Sequence, residues 1–326
     1  MQISSEAQNV LEAIKKFQPV RPNLLVENLG ISEKTIYKHL ARLLSENLVT
    51  KIDSNGKSFY LINQKSRDIN IDPLNLADLL IEQNYIYVSP SGEMIRGLMG
   101  LHEWCIKNNT SFEKQKSLYA TRLKDLGKLK RDGLISAKKR ILSGTEKVFL
   151  NDVFFSDFYT FDHFGKTKLG QLIYVAKTSQ NIDLIREISA NIKPSILKLI
   201  EEYNIQQVCF IPPTIDRKIQ IMDELKKSLN LDLTEIKIEK VTSKTKVAQK
   251  TLRKLEDRIA NARTTMAVDP NQKITGNVLM IDDATGSGAT LNETAKKILN
   301  ITNAKIKIIG YTVVGSFKGF DVISEI

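Results

Sequence analysis

The chain has 326 residues, of which 42% are hydrophobic and 26% charged, with a formal net charge of +11. That length carries two or three domains with their own cores, and the composition excludes disordered and fibrous classes. No run of about 18 apolar residues is present, so no membrane-spanning helix is expected, and two cysteines, Cys105 and Cys209, make no disulfide framework.

The opening MQISSEAQNVLEAIKKF lacks the charged-then-apolar layout of a secretory signal, so a cytoplasmic location is expected. Ser5 and Gln8 fit a capping box ahead of a helical pattern at Val10, Leu11, Ile14 and Phe17. Pro22 suits the first turn of a second helix, and Gly30 suits its end. Ser32 fits the N-cap of a third helix, in which Ile36, Leu40, Leu43 and Leu44 repeat at helical spacing. Lys34, Thr35, Lys38 and Arg42 fall on a different face, with Tyr37 at its edge. Two β-prone runs, LVTKI and KSFYLI, flank a tight turn at Asn55-Gly56.

Three helices and a hairpin over residues 1–65 resemble a winged helix-turn-helix, whose third helix enters the major groove and whose hairpin is the wing. The resemblance makes Lys34, Thr35, Tyr37, Lys38 and Arg42 candidate contacts to DNA or RNA, with Lys51 and Lys57 on the wing. The net positive charge favours an anionic partner. The same fold also serves as a protein–protein or dimerisation module, which leaves a homodimer open.

Residues 66–150 read as a polar linker, SRDINIDPLN, leading into a basic helical connector domain. Met94, Leu98, Leu101 and Cys105 have helical spacing, and Trp104 is expected in the core. His102 and Cys105 are half of a zinc-type set with no second pair to complete it. Beyond them Lys114, Lys116, Arg122, Lys124, Lys128, Lys130, Arg131, Lys138, Lys139 and Arg140 face few acids, and Leu118, Leu123, Leu126 and Leu129 form an apolar stripe. Such a helix either extends a nucleic-acid footprint or is a solvated connector.

From residue 151 to 326 apolar β-prone runs alternate with helical patterns. QVCFI precedes IDRKIQIMDELKKSLN, LTEIKIEKV precedes KVAQKTLRKLEDRIANAR, and NVLMI precedes GATLNETAKKILN, after which KIKIIGYTVV follows. The alternation predicts an open α/β fold with a mostly parallel sheet covered on both faces. Ligands of such sheets sit beyond the carboxyl ends of the strands, where the Pro212-Pro213-Thr214 break and the segment from Asp282 to Thr290 both fall. Gly286 and Gly288 let backbone amides turn inward, and the hydroxyls of Thr285, Ser287 and Thr290 add to a phosphate cradle at a helix N-terminus. No lysine follows the glycines, which excludes a nucleoside-triphosphate loop, and the acids Asp282 and Asp283 before the turn exclude a dinucleotide fingerprint. Acids beside a phosphate loop make sense when they hold paired sugar hydroxyls.

The stretch LMIDDATGSGATL resembles the phosphoribosyl pyrophosphate signature of type I phosphoribosyltransferases: a hydrophobic strand, two acids, then a small-residue turn ending Gly-x-Thr. Within that fold the sequence looks most like the ComF-like family. FDHFGKTKLGQLIYVAKTSQ, VCFIPPTIDRK and KVAQKTLRKLEDRIANAR give further support and extend the likeness over residues 152–326. The resemblance implies that Asp282 and Asp283 hold the ribose 2- and 3-hydroxyls, and that Ala284, Thr285, Gly286, Ser287, Gly288, Ala289 and Thr290 bind the 5-phosphate. It implies that Pro212, Pro213 and Thr214, with Arg217 or Lys218, approach the pyrophosphate, and that Lys244, Lys246 and Lys250 belong to a hood loop. It further implies Mg2+ chelated on phosphoribosyl pyrophosphate, and displacement at the anomeric carbon through an oxocarbenium-like state stabilised by cations on the leaving group. Purine-salvage members usually carry an aspartate three residues after the second acid, taken as a general base; here that residue is Gly286.

Three roles are compatible with such a chain. The first is a nucleic-acid-associated transferase or nucleotide glycosidase. The second is a regulator that senses phosphoribosyl pyrophosphate without turnover, as in purine repressors that join a winged helix to a silent phosphoribosyltransferase domain. The third is an effector in reverse-transcriptase-linked phage defence.

Overall fold

The computed structural model describes residues 4–17, 20–54, 57–62, 76–138, 146–241, 254–302 and 304–316. The chain separates into two compact units, Met1–Leu74 and Asn75–Ile326.

The first unit contains α1 (Ser5–Phe17), α2 (Pro22–Leu29), α3 (Glu33–Ser45) and the antiparallel pair β1 (Val49–Ser54) and β2 (Lys57–Ile62). Pro22 opens α2, and Gly30 closes it with φ +63°, the left-handed conformation that only a residue without Cβ adopts freely. Ser32 caps α3 by accepting from the Thr35 amide at 3.3 Å. The cap of α1 is Ser4, one residue before the Ser5 that the capping-box pattern indicates: its hydroxyl accepts from the Ala7 amide, and Ser5 is already helical. Val10, Ile14, Leu25, Ile36, Leu40, Leu43, Val49 and Tyr60 form one core. The Asn55-Gly56 turn and the 66–75 linker lie outside the described residues.

The second unit is built on a six-stranded sheet of order β5-β6-β12-β11-β7-β8. Its strands are β5 (Ile135–Ser136), β6 (Asp152–Phe158), β7 (Ile205–Phe210), β8 (Thr234–Glu235), β11 (Asn277–Thr285) and β12 (Ile308–Gly315). All pairings are parallel except β5 with β6. The eight residues of β12 are all buried, the pattern of a strand covered on both faces. One face packs against α7 (Lys168–Ser179), α8 (Ile182–Glu202) and α9 (Ile221–Leu229), through residues including Leu172, Ile188, Leu225, Leu279, Ile281 and Tyr311. The other packs against α11 (Ala289–Ile301), through Val153, Phe155, Cys209, Val278, Met280, Leu291 and Ile298.

The stretch LTEIKIEKV does not form one strand. The Ile236 amide donates to the Val208 carbonyl, and then the Gln272 side chain accepts from the Lys237 amide and donates to the Lys237 carbonyl. That side chain takes the place of a neighbouring strand, so the backbone peels away after β8. It continues as β9 (Ile238–Lys240), which pairs antiparallel with β10 (Met266–Val268) at the end of α10 (Leu255–Thr265).

Where the sequence sets residues 66–150 apart as a connector, the structure joins α4 (Leu76–Asn84), α5 (Gly97–Lys107) and α6 (Phe112–Leu129) to the second unit. Tyr119 of α6 is 2% exposed and touches Phe161 and Phe164 edge-on, residues of the segment that follows β6. β5 itself pairs in the large sheet. Met94, expected on the helix, lies in β4 (Met94–Arg96), paired with β3 (Ile86–Val88) across the turn at Ser89–Gly92. The helix starts only at Gly97, whose φ of +64° and closeness to the Glu82 carboxylate leave no room for a side chain. Trp104 is half-buried against Phe164 rather than central, and Leu129 is 47% exposed.

Two contacts set α7 against the sheet. The Thr167 hydroxyl donates to the Phe158 carbonyl at 2.6 Å and accepts from the Gly170 amide at 3.0 Å. Gly170 lies so close to the chain that an added Cβ would stand 2.1 Å from the Tyr159 carbonyl oxygen. Gly170→Ala therefore forces α7 off the sheet. It should lower unfolding stability by about 1–3 kcal/mol, the usual cost of overpacking, and thermal denaturation showing no loss would refute this packing.

Candidate functional site

The carboxyl ends of β6, β7, β11 and β12 share one edge of the sheet, and a cleft opens there. Its walls come from the segment after β7 (Ile211, Pro212, Pro213, Thr214, Ile215, Arg217, Gln220), the segment from Asp282 to Thr290, and three cations from elsewhere: Lys177, Lys240 and Arg258. The Ile211 amide donates to the Ile281 carbonyl at 2.9 Å, which holds the mouths of β7 and β11 together. Expected site residues from both segments thus meet in one place. Lys218 is exposed and does not line the cleft, whereas Arg217 does. Lys244, Lys246 and Lys250 lie outside the described residues.

β11 runs on through Thr285, four residues beyond the apolar run, so both acids are strand residues. The turn then closes on Gly288 at φ +69°, the N-cap of α11. The N-cap Gly288 offers no side-chain cap, and the Ser287 hydroxyl accepts from the Ala289 amide at 3.5 Å. The partial positive charge of the helix end therefore stands at this turn, a place that favours an anion. Thr285 and Ser287 are buried within the turn, and the Ser316 amide fastens it from β12's end by donating to the Thr285 carbonyl at 3.0 Å.

The electrostatics are those of a compensated acid pair. Asp283 meets the Lys177 ammonium at 2.6 Å, with side chains 17% and 9% exposed. The Asp283 amide donates to the Asp282 carboxylate at 2.8 Å. Crowding by protein atoms and the neighbouring Asp283 charge push the Asp282 carboxyl up to about 7, against the opposing pull of that amide, Lys177 and Lys240. Burial lowers Lys240, with Asp282 acting in the other direction, and burial also lowers Arg258, which is 7% exposed. Lys240 donates to the Thr214 hydroxyl at 2.5 Å. Cations partly stripped of water in this way gain when an anion enters.

Lys177, Lys240 and Arg258 have no signal in the sequence, because each lies on an element distant in the chain from the acid pair. Among the described residues no group of three or more His, Cys, Asp or Glu side chains is placed to hold a metal ion. Asp283, already paired with the Lys177 ammonium, does not fit a magnesium ion held by protein carboxylates.

In the first unit, Lys34, Tyr37, Lys38 and Arg42 are exposed on α3, with Tyr37 45% exposed. Arg42 Nε pairs with Glu46 at 2.9 Å, and Thr35 shares a 2.8 Å hydrogen bond with Ser32 in the helix cap. Lys51 is exposed on β1; Lys57 opens β2, and its side chain lies outside the described set. On the basic α6, Lys116 pairs with Asp78, Arg122 with Asp162 and Lys128 with Asp125, and Lys130 just after it pairs with Asp157. Among the described residues no helix is long and apolar enough to cross a membrane.

Compared with protein-family models and with curated proteins, the chain matches none.

The Asp282 shift has a consequence for stability. Its folded value lies above the unfolded one, so the native state binds the extra proton and this group's contribution falls as pH rises from about 4 to about 7. Asp282→Asn removes the crowded charge. It should raise the melting temperature more at pH 8 than at pH 5; equal changes at both values would refute the assignment.

Proposed function

We propose that the second unit binds phosphoribosyl pyrophosphate as a ComF-like member of the type I phosphoribosyltransferase fold, and that the first unit ties it to DNA or RNA as a winged helix. The observation that carries the reading is the meeting, in one cleft at the carboxyl edge of a mostly parallel sheet, of the acid pair, the uncapped turn of small residues, and Lys177, Lys240, Arg217 and Arg258. In this reading Asp282 and Asp283 accept from the ribose hydroxyls, and the α11 amides with Ser287 and Thr290 hold the 5-phosphate. Arg217, Lys240 and Arg258 face the pyrophosphate. Magnesium enters only as a companion of that pyrophosphate in solution.

Transfer chemistry would join an acceptor to the anomeric carbon as pyrophosphate leaves, with the cleft's cations offsetting the charge that grows on the leaving group. Gly286 places no carboxylate beside the acids, which favours either an acceptor that needs no protein base or a site that senses its ligand without turnover.

Calorimetry with phosphoribosyl pyrophosphate should show one site per chain, abolished by Asp282→Asn together with Asp283→Asn. Undiminished binding by the double variant would overturn the site. Pyrophosphate release in the presence of nucleobases would mark a transferase, whereas ligand binding that alters nucleic-acid affinity without release would mark a regulator.

For the first unit, Lys34→Ala with Lys38→Ala should weaken nucleic-acid binding across sequences and lower the slope of log affinity against log salt by about 1–2, as expected for two lost phosphate contacts. An unchanged slope would argue for a protein partner on this face.

A further inference from the structure

Asp282 and Asp283 are consecutive residues of a strand, so their side chains leave on opposite faces of the sheet. Asp283 continues the row of Leu279 and Ile281, on the face covered by α7, α8 and α9. Asp282 continues the row of Val278 and Met280, on the face covered by α11, with which Ile236 and Ile238 also pack. Lys177 descends from α7 to pair with Asp283 at 2.6 Å, and Lys240, at the end of β9, lines the same cleft, where the charges of both lysines act on Asp282. Both lysines are anchored. Lys177 rides on a helix fixed by Thr167 and Gly170, and Lys240 is held by Thr214 while its neighbour Val241 donates to the Thr265 carbonyl.

A magnesium ion requires a near-octahedral shell of oxygens. The Asp283 carboxylate already faces an ammonium at hydrogen-bond distance, and both lysines line the cleft itself. Two carboxylates beside a polyanionic ligand would repel it, and the two ammonium groups bring the local sum of charge to zero or above.

We propose that Lys177 and Lys240 are built-in counter-ions of the acid pair, so that a phosphoribosyl ligand binds this cleft without a divalent metal. Lys177 is a positioning residue: it fixes the Asp283 carboxylate so that its remaining lone pairs face a ribose hydroxyl, and it screens the ligand's phosphates from the acids. The inference rests on the phosphoribosyl pyrophosphate reading above.

The test is calorimetry on the full chain with phosphoribosyl pyrophosphate and with ribose 5-phosphate, each in EDTA and in millimolar magnesium. For the unaltered protein the dissociation constant of phosphoribosyl pyrophosphate in EDTA should lie within about threefold of that in magnesium. Lys177→Met should weaken binding in EDTA by at least about tenfold, as expected for one partner removed from a buried charge pair, and magnesium should recover part of the loss. Lys177→Arg, which keeps the charge, should retain metal-free binding. Should Lys177→Met fail to give the native melting transition, Lys240→Met carries the same expectation. Binding by the unaltered protein in magnesium but not in EDTA would overturn the proposal and leave the phosphoribosyl reading standing, as would a Lys177→Met or Lys240→Met variant that binds like the unaltered protein in EDTA. No binding of either ligand in either buffer would overturn the reading on which the proposal rests.

Discussion

Two carboxylates on neighbouring residues at the open end of a buried strand are costly unless cations stand close by, and the second unit is arranged around that requirement. Strand geometry sends the two side chains to opposite faces, so no single element can serve both. Lys177 of α7 pairs with Asp283, and Lys240 of β9 lines the cleft, where its charge acts on Asp282. The positions of both elements are set by local chemistry. Thr167 and Gly170 hold α7 down on the end of β6, and Gln272 draws the chain away after β8 so that β9 reaches the cleft.

Behind the acids the constraint is burial. β11 and β12 pair in parallel at the centre of the sheet, and their side chains are shared between two cores. Even the polar group of Tyr311 is satisfied inside, at 2.6 Å from the Ser156 hydroxyl. A rigid strand of this kind delivers Asp282 and Asp283 to one height at the sheet's edge, and the turn from Thr285 to Gly288 begins from a fixed point. The site is thus a product of the core: change the seating of β11 and the acids, the turn and the α11 amides all move together.

Much of this was legible in the sequence, and the reason is local. Pro22, Gly30 and Ser32 mark helix ends because backbone geometry and unpaired amides demand those residues there. The run into Asp282 and Asp283 and the small-residue turn after it are contiguous, so the order of letters carries the arrangement. The alternation of strands and helices puts the break at Pro212 to Thr214 on the same edge. What stayed hidden was long-range. Lys177 precedes Asp283 by about a hundred residues on an ordinary amphipathic helix, and its neighbours in sequence say nothing of its role. Arg258 and Lys240 are hidden for the same reason. The Met94 strand and the split of β8 from β9 were missed because helical spacing and β-propensity see neither a glycine pressed on Glu82 nor a glutamine side chain that imitates a strand. Charge dominates the sequence of residues 76–138 and sets them apart, whereas Tyr119 and its aromatic partners decide where they pack.

The sheet ends in strands of two residues on both sides, β5 at one rim and β8 at the other. A long strand rim is a template on which another chain can add itself, and a short one offers too few free backbone groups to hold a visitor. β5 runs opposite to its neighbour as well, so it breaks the parallel hydrogen-bond rhythm at the border. The large parallel core that fixes the acid pair is thereby kept from growing sideways from molecule to molecule. At these two rims backbone pairing is disfavoured, and what the sheet presents there to another molecule is side chains.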